Sequence, residues 1–123
     1  MNEGEKKKVL IVEDEESNYE LLKAMLRKKQ IDVVWAQTGK EAIHFAGSLK
    51  FDLVLMDIKM PEMNGYETLK ILRNQGILTP VIAQTAYARL EDEHKAIEAG
   101  FDAYISKPID RNKFDIIIDR YLH

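Results

Sequence analysis

Short apolar runs alternate with longer amphipathic segments along this chain. Val9-Leu10-Ile11-Val12 is unbroken apolar sequence, as in a strand buried on both faces, and predicts a first strand near 8–13. Leu22, Met25, Leu26 and Lys29 recur at helical spacing. They predict a helix near 16–29 whose buried face reaches water at Lys29. Asp32 to Ala36, rich in Val and Trp, reads as the second strand. Nothing in the pattern puts its Trp35 beside the residues discussed below. Thr38 with Glu41 three residues on has capping-box spacing and opens a helix to about Leu49. The third strand is Asp52 to Met56, followed by a loop holding Pro61, Asn64 and Gly65. A helix then runs to about Gln75 and stops at Gly76. Pro80 introduces the fourth strand, a helix from about Arg89 ends at Gly100, and Asp102 to Ile105 is the fifth strand. In the last helix Phe114, Ile117, Ile118, Tyr121 and Leu122 fall on one broad apolar face.

Five strands alternating with five helices argue for βαβ units: an α/β fold with a parallel sheet. Right-handed crossovers put helices on both faces, a doubly wound sheet. In such sheets the ligand site lies beyond the carboxyl ends of the strands. Four of those ends carry polar residues: Glu13-Asp14, Asp57, Thr85 and Lys107.

Composition narrows the classes. The 123 residues make one domain, with 46% hydrophobic and 32% charged residues, as in globular proteins. A net charge of -3 argues against direct nucleic-acid binding. Without cysteine there is neither a disulfide framework nor a cysteine-zinc site. No apolar run approaches the ~18 residues of a membrane span, and the polar start, residues 1–7, is no signal peptide. A cytoplasmic setting with no membrane contact fits.

Taken singly, each strand-end residue has a plain reading. Asp14 with Glu15 and Glu16 suits the positive end of a helix; Thr85 suits an N-cap or turn, Lys107 a solvated surface, Tyr104 half-buried strand filling. Their joint placement carries the chemistry. Three carboxylates at one small site repel unless a hard divalent cation joins them, and Mg²⁺ (or Mn²⁺) prefers such oxygen ligands. Asp14 and Asp57 would bind directly, Glu13 through water, and the Lys59 backbone carbonyl could add an oxygen. Asp57, central among apolar neighbours, is the candidate nucleophile for an aspartyl-phosphate. Lys107 and Thr85 would then serve the phosphoryl oxygens.

With Val12-Glu13-Asp14, Met56-Asp57-Ile58-Lys59-Met60-Pro61-Glu62-Met63-Asn64-Gly65, Thr85-Ala86 and Lys107-Pro108 in this order, the chain resembles the receiver domains of two-component response regulators. The likeness covers about residues 8–122, so residues 1–7 read as a lead-in and 8–123 as the receiver. The resemblance implies a flavodoxin-like sheet of order 2-1-3-4-5. It implies that Asp57 takes a phosphoryl group from a phosphohistidine on a histidine kinase or phosphotransfer protein. It implies Mg²⁺ at Glu13, Asp14, Asp57 and the Lys59 carbonyl, and a cis bond before Pro108. It implies that Thr85 swings toward the phosphoryl group while the Tyr104 ring turns inward, remodelling the face of the fourth helix, fifth strand and fifth helix. Lys59 and Tyr87 hold the positions that overhang the phosphoryl group, and their length predicts slow self-dephosphorylation. Asn18 and Thr85-Ala86-Tyr87-Ala88 look most like receivers of hybrid sensor kinases, and Gln84 departs from the small or apolar residue usual before the switch threonine.

Such a domain catalyses only its own phosphorylation and dephosphorylation. Rival readings are an Asp-nucleophile phosphohydrolase, a nucleotide or flavin module, and a degenerate receiver used only for docking. The first lacks the second acid, because Lys59 stands two residues after Asp57; the second lacks a glycine-rich phosphate loop; the third is disfavoured by the complete residue set. The 123 residues leave no room for an output domain. They fit a stand-alone receiver, able to form a weak dimer, or a cytoplasmic piece of a membrane-bound hybrid kinase.

Overall fold

The computed structural model describes residues 6–86 and 89–122. In chain order the elements are β1 (Lys8–Val12), α1 (Glu16–Arg27), β2 (Asp32–Ala36), α2 (Gly39–Ser48), β3 (Leu53–Asp57), α3 (Gly65–Asn74), β4 (Val81–Thr85), α4 (Leu90–Ala99), β5 (Ala103–Ser106) and α5 (Arg111–Leu122). The strands form one parallel sheet in the order β2-β1-β3-β4-β5. The chain winds outward in both directions from β1 and β3. Alternation along the strands feeds two cores. Val9, Ile11, Leu53, Leu55, Ile82 and Ile105 pack with Leu22 and Leu26 of α1 and Phe114 and Ile118 of α5. Leu10, Val12, Val54, Met56, Val81 and Ala83 pack with α2, α3 and α4 through Ala42, Leu69, Leu72 and Ala96.

Strand boundaries shift from the expected ones for a local reason. Asp52 and Asp102 sit one residue before β3 and β5. Asp52 accepts from the Lys8 amide and Asp102 from the Val81 amide, each at 2.8 Å. These carboxylates tie the amino-terminal edge of the sheet together. β3 accordingly begins at Leu53 and ends on Asp57 itself.

The first helix is shorter than its periodicity predicts. It ends at Arg27, after which bonds of the i−3 kind tighten the chain and Gln30 takes φ 60°. Lys29 is therefore not a wet edge of the helix: its ammonium pairs with Asp115 at 3.6 Å and Asp119 at 3.2 Å, tying the end of α1 to α5. Thr38 caps α2 by accepting from the Glu41 amide at 3.1 Å, but Glu41 reaches back to the Gln37 amide rather than that of Thr38. Asn64 and Glu67 form a reciprocal capping box at α3, both bonds 2.9 Å. Gly76 (φ 81°) follows α3 and Gly100 (φ 113°) ends α4, left-handed positions where glycine costs least.

Candidate functional site

β1, β3, β4 and the turn after β5 deliver their polar residues to the carboxyl edge of the sheet. Carboxylate oxygens of Glu13, Asp14 and Asp57 all lie within 4.8 Å of one another. Glu13 is fully buried and Asp57 is 5% exposed, whereas Asp14 is open to solvent. The Lys107 ammonium bridges the two buried acids, 3.0 Å from Glu13 Oε1 and 3.1 Å from Asp57 Oδ2. The peptide bond after Lys107 is cis. The other oxygen of Asp57, Oδ1, accepts from the Lys59 amide at 3.0 Å. The turn after β3 thus folds back on the aspartate it follows.

One ammonium does not balance two carboxylates. Burial, then the charge of Asp57, push the Glu13 carboxyl up from its ordinary 4.5 to about 7, against the opposing pull of Lys107. For Lys107, burial lowers the pKa, but the hydrogen bond to Glu13 and the charge of Asp57 outweigh it and leave the group raised. The cluster keeps a net negative charge in a poorly solvated place. Its donors are hard oxygens, and a divalent cation with a few waters fits that set.

Beside this cluster lies a cleft of about 410 Å³ lined by Lys59, Tyr66, Thr85, Asp92, Lys95 and Tyr104, among others. Tyr66 packs edge-on against Phe101 and carries the Lys95 ammonium 5.2 Å from its ring centroid. Thr85 is 3% exposed. The Tyr104 hydroxyl is buried without a hydrogen-bond partner, and burial, with the charge of Asp92, raises its pKa. Gln84, opposite Asp57 in the β3–β4 register, is buried with its amide nitrogen also unpartnered.

A family model described as the response regulator receiver domain matches residues 9–119. The chain belongs to that family. This receiver is 40% identical over 118 residues to the polar-differentiation response regulator DivK of Brucella anthropi, covering 94% of this chain and 96% of DivK. It is 36% identical over 115 residues to the regulatory protein AtoC of Escherichia coli, covering 94% of this chain but only 25% of AtoC. It is 40% identical over 111 residues to hybrid signal transduction histidine kinase I of Dictyostelium discoideum, covering 83% of this chain and 6% of the kinase. Among solved structures, the receiver domain of the sensor histidine kinase PA1611 from Pseudomonas aeruginosa superposes with a TM-score of 0.86 at 31% identity, covering 96% of this chain and 98% of that one. That structure holds a magnesium ion in its active-site cleft. The receiver domain of Ssk1, solved with the histidine phosphotransfer protein Ypd1 of Saccharomyces cerevisiae, gives 0.85 at 27%, covering 95% and 89%.

The receiver brings Glu13, Asp14, Asp57 and Lys107 together, while Thr85 and Tyr104 meet at the neighbouring cleft. Tyr87 lies outside the described residues. Sequence reasoning missed one contributor, Trp35, and had another, Gly65, only as the end of the motif that follows Asp57. Gly65 presses on the backbone of Asp57: an added Cβ would lie 2.8 Å from the Asp57 carbonyl oxygen and from the Ile58 Cα. The Asn64-Gly65 pair with Glu67 was the legible signal for a helix starting there. Trp35, which the pattern left apart from the site, donates its indole N–H to the Glu13 carbonyl at 2.8 Å. The signal was its register opposite Ile11, two residues before Glu13 on the adjacent strand.

Proposed function

We propose that Asp57 is the phosphoacceptor of this receiver domain, a module of two-component signalling rather than an enzyme of the usual kind. The observation that carries this reading is the shared environment of Asp57: one oxygen on the Lys59 amide, the other on the Lys107 ammonium, with Glu13 and Asp14 alongside.

An Asp57 oxygen attacks the phosphorus of a phosphohistidine. The O–P bond forms as the P–N bond breaks, and the imidazole leaves with the electron pair and takes a proton from solvent. The main task of the site is positioning and neutralisation of the phosphoryl oxygens. Lys107 releases Asp57 Oδ2 and meets one of those oxygens, and Thr85 offers its hydroxyl to another. A Mg²⁺ or Mn²⁺ ion held by Asp14, Asp57 and the Lys59 carbonyl, with Glu13 behind a water, would supply the remaining positive charge. The donor is a histidine kinase or a phosphotransfer protein; the pairing of Ssk1 with Ypd1 supports the class. Phosphorylation replaces the single negative charge of the Asp57 carboxylate with the roughly -1.5 to -2 of a phosphoryl group and its strong acceptor oxygens. Thr85 moves toward it, Tyr104 follows within the cleft they share, and the face of α4, β5 and α5 changes shape. Among the described residues no helix is long and apolar enough to cross a membrane.

Acetyl phosphate with Mg²⁺ should add one hydroxylamine-labile phosphoryl group to the protein, read by mass spectrometry. Asp57→Asn should add none. A variant that gains the group at wild-type yield would refute the assignment.

A further inference from the structure

The strand ladder between β1 and β2 runs out beside the acidic cluster. The Glu13 amide still donates to the Ala36 carbonyl at 3.0 Å. Beyond Ala36 the partner strand has ended: Gln37 gives its amide to Glu41, and Thr38 turns outward as the cap of α2. The Glu13 carbonyl, in a buried residue, accepts instead from the Trp35 indole at 2.8 Å. The indole thus occupies the place of the missing ladder amide.

The Trp35 ring is itself held. Tyr19 of α1 stacks on it with ring centroids 4.2 Å apart and planes 4° apart, and the Lys23 ammonium sits 5.7 Å from the Tyr19 centroid. The Glu13 carbonyl and the Asp14 amide belong to one planar peptide unit. Fixing that carbonyl fixes the plane from which the Asp14 side chain departs. This matters because the Asp14 carboxylate is exposed and has no hydrogen bond among the described residues, whereas Glu13 is tied to Lys107.

We propose that Trp35 is a positioning residue of the metal site: its indole N–H, held in plane by Tyr19, orients the Glu13–Asp14 peptide so that the Asp14 carboxylate faces Asp57. The proposal rests on reading the acidic cluster as a divalent-cation site. Outer groups that orient ligands commonly matter to metal affinity as the ligands do.

Trp35→Phe keeps an aromatic ring for Tyr19 to stack on and removes the N–H together with the pyrrole half of the indole. Mn²⁺ binding, followed by electron paramagnetic resonance, should weaken about three- to tenfold, the worth of one hydrogen bond. Phosphorylation by acetyl phosphate should be slower at low Mg²⁺ and return to the wild-type rate at saturating Mg²⁺. Unchanged Mn²⁺ affinity overturns the proposal, and so does a rate loss that saturating Mg²⁺ does not restore. The wild-type chain supplies a test that needs no variant. Trp35 is its sole tryptophan, so the single indole N–H resonance should move as Mg²⁺ is added, and a stationary resonance overturns the proposal. Absence of Mn²⁺ binding in the wild type overturns the metal-site reading with it; wild-type binding with an unaffected variant overturns the role of Trp35 alone.

Discussion

Glu13 has no solvent exposure, and the single ammonium it bonds is shared with Asp57. Its pKa of about 7, raised from 4.5 by burial first and Asp57 second, has a consequence for the metal-free protein. A carboxyl raised on folding binds its proton more tightly in the native state. Its contribution to stability is complete below about 4.5 and is lost as pH rises through about 7. Metal-free protein should therefore melt at a lower temperature at pH 7.5 than at pH 5. Glu13→Gln, which keeps the shape without the proton, should flatten that slope. Thermal melts of both proteins in chelator would decide it, and equal slopes would refute the role of Glu13. Residue types at this site were legible in sequence, since acids after apolar runs stand out. The degree of burial was not, because adjacent acids in the chain, Glu13 and Asp14, differ only in the direction their side chains leave β1.

α3 begins where the Asp57 loop ends, and the two are in backbone contact: the Gly65 amide donates to the Ile58 carbonyl at 2.8 Å. This makes the helix start part of the site. Asn64→Ala removes the capping bond and should cost about 1 kcal/mol, leaving the contact with Ile58 in place. Gly65→Ala puts a methyl group against the backbone of Asp57 and Ile58, and forced shifts of this kind cost roughly 1–3 kcal/mol. Gly65→Ala should slow phosphorylation by acetyl phosphate beyond any slowing in Asn64→Ala, even when assayed at temperatures where both variants are fully folded. Similar rates in the two would show that Gly65 serves only stability. At this scale the strands and helices followed from periodicity, and errors collected at their ends. Asp52 and Asp102 resemble first strand residues until the neighbouring strand shows that their carboxylates bond its amides. Lys29 resembles a helix edge until α5 brings Asp115 and Asp119 to it.

Across the whole molecule, one sheet joins the two cores and ends in one charged edge. A cation bound there stabilises only the folded form, because the unfolded chain does not assemble the three carboxylates. At ten times its dissociation constant Mg²⁺ should add about 1.4 kcal/mol, roughly 4–6 °C in melting temperature for a domain of this size. Asp14→Asn should lose most of that gain and still fold, since Asp14 is exposed and its carboxylate has no hydrogen bond among the described residues. A Mg²⁺-induced shift of wild-type size in Asp14→Asn would place the ion elsewhere.

The sequence by itself determined the fold class, because apolar runs of strand length between amphipathic segments leave few ways to bury both. It also determined which residue types stand at the strand ends. Only the tertiary structure decided that Lys107 bridges Glu13 and Asp57, that Gly65 abuts Asp57, and that Trp35 reaches the Glu13 carbonyl. The first and the last join residues distant in the chain through a crossover or a strand register, and the second follows from how the loop after β3 folds back on Asp57. Such contacts depend on side-chain direction and on distances of a few ångströms, which periodicity along a single chain does not encode.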